Sequence, residues 1–124
     1  MTVSSPSGLL PLLAETRFEQ EEVGGMYARH VTVHGSPDKI DEGIRSVRER
    51  VLPVLRECAG FKGQLLLVDR DKGEAIGISL WDTEENMRAS EEKVQPVRQQ
   101  TADQVDASSA PDVALYELSV FETT

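Results

Sequence analysis

The sequence has few of the features that mark secreted, membrane-bound or nucleic-acid-binding proteins. It contains one cysteine, Cys58, which excludes an internal disulfide framework and a thiolate-rich metal cage. Basic residues are scarce, because 13 Lys and Arg stand against 22 Asp and Glu and leave a formal charge of -9. The net negative charge would repel nucleic acid or an anionic membrane, so we expect neither partner.

Long hydrophobic runs are also missing. No stretch approaches the roughly 20 apolar residues that span a bilayer. The apolar patch at residues 8–14 is interrupted by Pro11 and follows no basic residue, unlike a secretory signal. We therefore expect a cytoplasmic protein, with which the single cysteine is compatible.

What is present is the composition of an ordinary folded domain. The 124 residues are 39% hydrophobic and 28% charged, which suits one domain with a single core. Residues 1–25 differ from the rest, since they open with Ser, Pro and Gly and close on glutamates and two glycines. We interpret them as an N-terminal extension, followed by a domain over residues 26–124.

Hydrophobic spacing in that domain predicts four strands and two helices. The strands are expected at residues 26–34, 61–68, 74–81 and 113–121. A long first helix begins at Ser36-Pro37 and ends at Gly60, and Pro53 should bend its last turn. The second helix opens at residues 82–85, and we expect Pro96 to kink it or split it in two.

The resulting order, β-α-β-β-α-β, is the ferredoxin-like arrangement of the α+β class. In it a four-stranded antiparallel sheet carries both helices on one face. The second face is then bare, although Val31 with Ala28, and Leu65 with Leu66, indicate that both faces are apolar. A second copy of the chain is the simplest cover, and we expect a homodimer.

Three features between Met26 and Phe121 occur together: a proline-bearing first helix, a Gly-Phe turn within residues 58–63, and Trp81 followed by an acidic helix start. With the element order, they resemble the dimeric α/β-barrel proteins that include the antibiotic biosynthesis monooxygenase-like domains. The resemblance implies two sheets that close into a barrel across a dimer, and a cleft between sheet and helices in each subunit. Some members oxidise aromatic polyketides without a cofactor, some degrade haem, and many have no assigned activity.

The resemblance leaves two functions open. One is an enzyme that binds a flat apolar or aromatic molecule beside Trp81 and oxidises it with molecular oxygen, without metal, flavin or another cofactor. The other is a non-catalytic dimeric module that binds a metabolite or scaffolds another protein. The second is motivated by an incomplete site, because monooxygenase members use an Asn and an Arg beside the strand Trp, and the one asparagine here, Asn86, lies in the second helix.

The candidate catalytic residues are His30 and Trp81. Imidazole titrates near neutral pH, so His30 on a central strand could transfer a proton into a cleft. We favour the alternative, a hydrogen-bonded histidine in the sheet or dimer interface. Trp81 matches the family's substrate-holding tryptophan, but a Trp at a strand end also packs as an anchor for the following helix, and we favour packing.

Four further residues are candidates for ligand binding. Arg29, Tyr27 and Tyr116 could hydrogen-bond a carbonyl or carboxylate in a pocket. Ser79 shares a strand face with Gly77, where small side chains leave space. A lone Arg on an apolar strand more often extends its charged end to solvent or pairs with a carboxylate at an interface, and we favour that interpretation for Arg29.

Neither a metal site nor a nucleotide site is predicted. His30 and His34 share a strand face but lie roughly 13 Å apart at about 3.3 Å per residue, too far to bind one ion. No glycine-rich phosphate-binding motif occurs. Cys58 lies on the buried stripe near a helix C-terminus, whose dipole disfavours a thiolate, and we expect inert core.

Overall fold

Residues 25–124 form four strands and two helical runs in the order β-α-β-β-α-β. The computed structural model describes residues 25–124, so the predicted extension lies outside the described residues apart from Gly25. The strands are β1 (Tyr27–His34), β2 (Phe61–Asp69), β3 (Glu74–Trp81) and β4 (Asp112–Glu117). They form one antiparallel sheet in the order β2-β3-β1-β4. The predicted element order and four-stranded antiparallel sheet are confirmed.

The two faces of the sheet meet different surroundings, because side chains alternate along every strand. The register pairs Arg29 with Ser79, and Ser79 with Gln64, on the side that both helical runs cover. His30 and Ile78 are paired with each other on the opposite side. We call the first side the helix face and the second the open face.

The first helical run, residues 37–57, changes its winding along its length. Its parts are a 3-10 turn (Pro37–Lys39), α1 (Ile40–Ser46), a π-helical turn (Val47–Val51) and α2 (Leu52–Glu57). The irregularity expected in the last turn lies one turn earlier, where the Leu52 N–H donates to the Val47 carbonyl. Pro53 has no N–H, and its ring crowds the carbonyl four residues back, so the wider turn relieves that clash.

The second helical run is split in two at Ser90, and not at Pro96 as the sequence suggested. Its parts are α3 (Glu84–Ala89) and α4 (Glu91–Gln104). Pro96 lies inside α4, whereas the Ser90 hydroxyl donates to the Met87 carbonyl at 2.7 Å and so competes for a helical acceptor. The Thr83 hydroxyl caps α3, accepting an N–H of the first turn at 3.0 Å. No helix within residues 25–124 is long and apolar enough to cross a membrane.

The main core lies between α2, α3, α4 and one end of the helix face. Its buried members are Val51, Leu55, Cys58, Trp81, Met87 and Val94. Burying a side chain such as that of Leu55 stabilises a fold by about 1.5–3 kcal/mol. Cys58 is buried in this core, with its Sγ–H donating to the Val54 carbonyl at 3.3 Å.

β4 ends at Glu117, four residues before the alternation predicts. The chain stays beside β1 for one more residue, because the Leu118 N–H donates to the Met26 carbonyl at 2.9 Å. Leu118 and Phe121 then pack on a second, smaller cluster, whose buried members are Met26, Ala28 and Leu80. The chain therefore covers one end of its own open face.

Gly73, in the turn between β2 and β3, generates a stability prediction. Its φ is 71°, and a Cβ there would collide with the carbonyl oxygen of Gly35. We expect Gly73→Ala to lower the free energy of unfolding by about 2–3 kcal/mol, because it adds backbone strain to a clash with a main-chain atom. Urea unfolding followed by circular dichroism measures the loss. Gly63→Ala is the matched control, since its Cβ would lie 4.0 Å from Leu80 Cδ1; equal losses in both variants would contradict the prediction.

Candidate functional site

A cleft lies between the helix face and the two helical runs. It has about 810 Å³ of space free of protein atoms, its open mouth included. A second hollow continues it outward between the π-helical turn and β2. The small residues of β3 predict this position, because Ala75, Gly77 and Ser79 all line the cleft.

Most of the lining is apolar. The aliphatic residues include Val31, Val33, Ile40, Ile44, Val47, Leu66 and Val105. Gly77 leaves the sheet side of the cleft unobstructed, because it has no side chain. A Cβ there would lie 3.0 Å from Gln64 Nε2. Gly43 lets α1 approach the end of α4, where a Cβ would lie 2.9 Å from Val105 Cγ1. The shape suits a flat apolar body lying on the sheet.

One end of the cleft is polar, because three cross-strand neighbours carry polar side chains. They are Gln64 on β2, Ser79 on β3 and Arg29 on β1. The Ser79 hydroxyl accepts from Trp81 Nε1 at 2.8 Å. Gln64 Oε1 is buried, and no group of residues 25–124 donates to it. This row forms the floor of the polar end.

Arg29 is unusual because a cation is buried at 2% exposure in the middle of a sheet. Its guanidinium lies 5.2 Å from the centroid of the Trp81 ring, and Nη1 donates to the Met87 carbonyl at 3.1 Å and lies 3.5 Å from Glu91 Oε1. Nη2 is buried and finds no partner in the described part of the chain. Burial lowers the pKa of Arg29; the Glu91 carboxylate opposes that shift, and the cation at Arg98 adds to it.

Arg98 reaches the same place from α4. It is 9% exposed; its Nη2 donates to Glu91 Oε2, and its Nη1 is buried with no partner among residues 25–124. Glu91, which is 43% exposed, thus bridges both guanidinium groups. Each buried donor left unpaired costs about 1–3 kcal/mol. The cluster is therefore poorly arranged for stability and well arranged to receive an oxygen-rich group.

Several solved structures share this architecture. A monooxygenase from the gene ActVA-Orf6 of Streptomyces coelicolor, in complex with the ligand nanaomycin D, superposes with a TM-score of 0.67 at 14% identity, over 81% of this chain and 93% of that one. A candidate antibiotic biosynthesis monooxygenase from Nitrosomonas europaea superposes with a TM-score of 0.61 at 19% identity, over 82% of this chain and 93% of its own. The fold is that of the antibiotic biosynthesis monooxygenase-like domains. The chain thus shares the ferredoxin-like fold of these structures, as its sequence predicts.

Closer sequence similarity leads to proteins of Mycobacterium tuberculosis. The uncharacterized protein Rv2558 is 47% identical over 77 residues, and the uncharacterized protein Rv2557 is 41% identical over 85 residues. These alignments cover 62% and 68% of this chain but 33% and 38% of the relatives, so the chain spans about a third of their length. No protein-family model matches the chain. The geometry of the cleft is therefore the main evidence for a function.

In this monooxygenase-like fold Trp81 packs in the core beneath Arg29. It is 0% exposed, and its ring meets the Phe61 ring edge to face with centroids 5.6 Å apart. It does not itself line the cleft. Trp81 would therefore affect a ligand in the cleft only indirectly. The Arg29 guanidinium lies over the face of its ring, and its Nε1 donates a hydrogen bond to the Ser79 hydroxyl.

The six residues predicted for the site divide between the two faces of the sheet. On the helix face are Tyr27, Arg29, Ser79 and Trp81. On the open face are His30 and Tyr116, whose rings meet edge to face with centroids 6.2 Å apart. The structure therefore does not place His30 in the cleft. Arg29 and His30 are consecutive in an extended strand, so they cannot point to the same face.

Three residues of the polar end were missed by sequence reasoning. Arg98 lies four residues after Val94 and three before Thr101, so it is on the apolar stripe of α4. A charged residue on such a stripe is the sequence signal that could have identified it. Gln64 had the same kind of signal, a polar residue directly before three leucines. Glu91 had none, because its arginine partners come from β1 and from two turns further along α4.

Arg98→Met tests whether the polar end serves stability. We expect its free energy of unfolding to equal that of the unmodified chain or exceed it by up to about 1 kcal/mol, because Arg29 and Glu91 still balance while methionine fills the volume. Urea unfolding measures the change. Arg88→Met is the control, since it breaks only the exposed pair with Glu84, worth about 0.3–0.5 kcal/mol. A loss above about 2 kcal/mol in Arg98→Met would show a structural role instead.

Proposed function

We propose that this domain, as a homodimer, binds a flat apolar or aromatic small molecule in the cleft between sheet and helices. The observation that carries the proposal is the cleft, an apolar hollow over Gly77 that ends on the polar row around Arg29. Small-molecule sites are concave, mainly apolar and oriented by a few convergent polar groups, which is the composition here. The ligand-bound Streptomyces coelicolor structure of the same fold supports the idea.

As the activity of this site we propose cofactor-independent oxygenation of a phenol-type ring. In this reaction a phenol consumes one O2; one oxygen atom becomes the second carbonyl of a quinone, the other leaves as water, and the ring supplies all four electrons. A phenolate gives up electrons to O2 more readily than a phenol does. The buried cation at Arg29 favours the phenolate, because it stabilises negative charge in a poorly hydrated place.

A non-catalytic binding module is the second candidate, and one observation favours it. Within residues 25–124, the side chains that line the cleft include no histidine, cysteine or carboxylate. None of them is suited to accept the proton of a phenol, so water at the mouth would have to do so. Binding alone needs no such group.

Oxygen uptake with 1-naphthol distinguishes the two candidates. We expect one O2 consumed per molecule of 1,4-naphthoquinone formed, and no product under anaerobic conditions. Gly77→Val should lower the rate roughly tenfold or more, because its side chain fills the cleft floor and displaces the ring. An oxygen electrode and chromatography of the product measure both quantities.

Two controls accompany this assay. Leu65→Ala and His30→Ala change the open face and should leave turnover within about twofold. If His30→Ala abolishes turnover, the reaction does not take place in the cleft as proposed. If 1-naphthol binds in calorimetry but no oxygen is consumed, the oxygenase is rejected and the binding module stands.

The open face supports the homodimer in this proposal. Its two edge strands carry large apolar side chains that are solvent-exposed in the single chain, namely Leu65 (42%) and Leu67 (50%) on β2 and Tyr116 (56%) on β4. A contiguous apolar patch on a globular domain marks an association surface. Leu118 and Phe121 pack at only one end of this face, which leaves the middle for a second copy.

Sedimentation velocity tests the dimer. At micromolar concentration we expect the unmodified chain to sediment as a dimer and Leu67→Asp as a monomer, because an unpaired carboxylate is costly in an apolar interface. Gln95→Asp puts the same charge on an exposed position of α4 and should remain dimeric. A stable monomer of the unmodified chain would contradict the proposal.

A further inference from the structure

We propose that Arg29, Arg98 and Glu91 form a charge-selective subsite at the polar end of the cleft, which accepts a ligand group with one negative charge. This rests on the proposed function, since the subsite binds the polar end of a ligand whose apolar body lies in the cleft. A carboxylate or phenolate on an aromatic ring has the required chemistry. Neutral and doubly charged groups are both disfavoured.

Two guanidinium nitrogens at this end are buried and have no hydrogen-bond partner within the described part of the chain. Arg29 Nη2 and Arg98 Nη1 receive no acceptor from residues 25–124, and both arginines line the cleft. The two residues are 2% and 9% exposed, so bulk water has little access to them. Buried donors are rarely left unsatisfied in folded proteins. Because the donors are cationic, the acceptor that gains most is an anionic oxygen, which forms short, strong hydrogen bonds with guanidinium.

Glu91 sets how much negative charge the subsite accepts. Its carboxylate gives one oxygen to each arginine, so two positive charges and one negative charge meet at this point. The remaining single positive charge is neutralised by a monoanion. A dianion would leave excess negative charge in a buried place, and a neutral group would leave the cation uncompensated. Glu91 is therefore a specificity-determining residue.

The sheet register determines where the rest of the ligand lies. Val31 follows Arg29 by two residues on the same face, roughly 6.6 Å further on at about 3.3 Å per residue. Val31 is paired with Gly77, whose lack of a side chain leaves the floor open. The aromatic body of a ligand whose carboxylate lies at Arg29 would therefore extend along the apolar lining toward Gly77.

Three naphthalene compounds test the subsite, because they differ in charge at one end of the same bicycle. At pH 7, 2-naphthamide is neutral, 2-naphthoate is a monoanion and naphthalene-2,3-dicarboxylate is a dianion. In calorimetric titrations of the unmodified chain, we expect 2-naphthoate to bind roughly tenfold more tightly than either of the others. Arg98→Met should still bind the amide but lose the preference for the monoanion.

Glu91→Gln provides the sharper variant, since it keeps the shape of the side chain and removes its charge. We expect it to strengthen binding of the dicarboxylate roughly tenfold relative to 2-naphthoate, because two positive charges are then unbalanced. Glu92→Gln removes the same charge from the next, exposed residue of α4 and should leave the order of affinities unchanged.

Each contrary result has its own meaning. Equal affinities of the unmodified chain for 2-naphthamide and 2-naphthoate overturn the subsite and leave the cleft as a binding site. Failure of all three compounds to bind overturns the subsite together with small-molecule binding in the cleft. If Glu92→Gln shifts the preference as much as Glu91→Gln does, the selectivity comes from the general surface charge, and the role of Glu91 is overturned.

Discussion

Two guanidinium groups inside this domain share one carboxylate, and the character of the site follows from that imbalance. Buried cations are unfavourable unless they are paired and hydrogen-bonded. Arg29 donates a hydrogen bond to the Met87 carbonyl and lies over the face of Trp81. Arg98 donates a hydrogen bond to Glu91. One terminal nitrogen of each arginine has no acceptor among residues 25–124. The fold gains nothing from these donors, whereas a ligand that brings an anionic oxygen satisfies both the hydrogen bonds and the charge.

The two-residue period of the strands separates two tasks on one sheet. On the helix face it aligns small residues of β3 with the polar row, which creates a hollow and gives it one polar end. On the open face the same strands present leucines and Tyr116 to solvent. The proposed ligand binding and the proposed dimerisation depend on different faces, so a substitution on one face leaves the side chains of the other in place. The core around Trp81 lies at one end of the helix face and supports Arg29 from below.

Much of the fold was predictable because it depends on local spacing. Alternation predicted the bounds of β3, and the acidic residues after Trp81 predicted where the second helix begins. The small residues of β3 indicated the floor of the cleft. Other features depend on contacts between distant segments and carry little local signal. The helix break at Ser90 depends on a hydroxyl that competes for a carbonyl, and the bridge from Glu91 joins residues 62 and 7 positions away. Placing Arg29 in the cleft and His30 outside it required knowledge of which strand face the helices cover.

A crystal structure of this chain with 2-naphthoate bound tests the central claim most directly. We expect the carboxylate oxygens to lie about 3 Å from Arg29 Nη2 and Arg98 Nη1, with the ring over Gly77 and Glu91 still bridging both arginines. A naphthoate seated on the open face beside Tyr116 would contradict it. So would a naphthoate in the cleft whose carboxylate points to the mouth and leaves both guanidinium nitrogens unpaired.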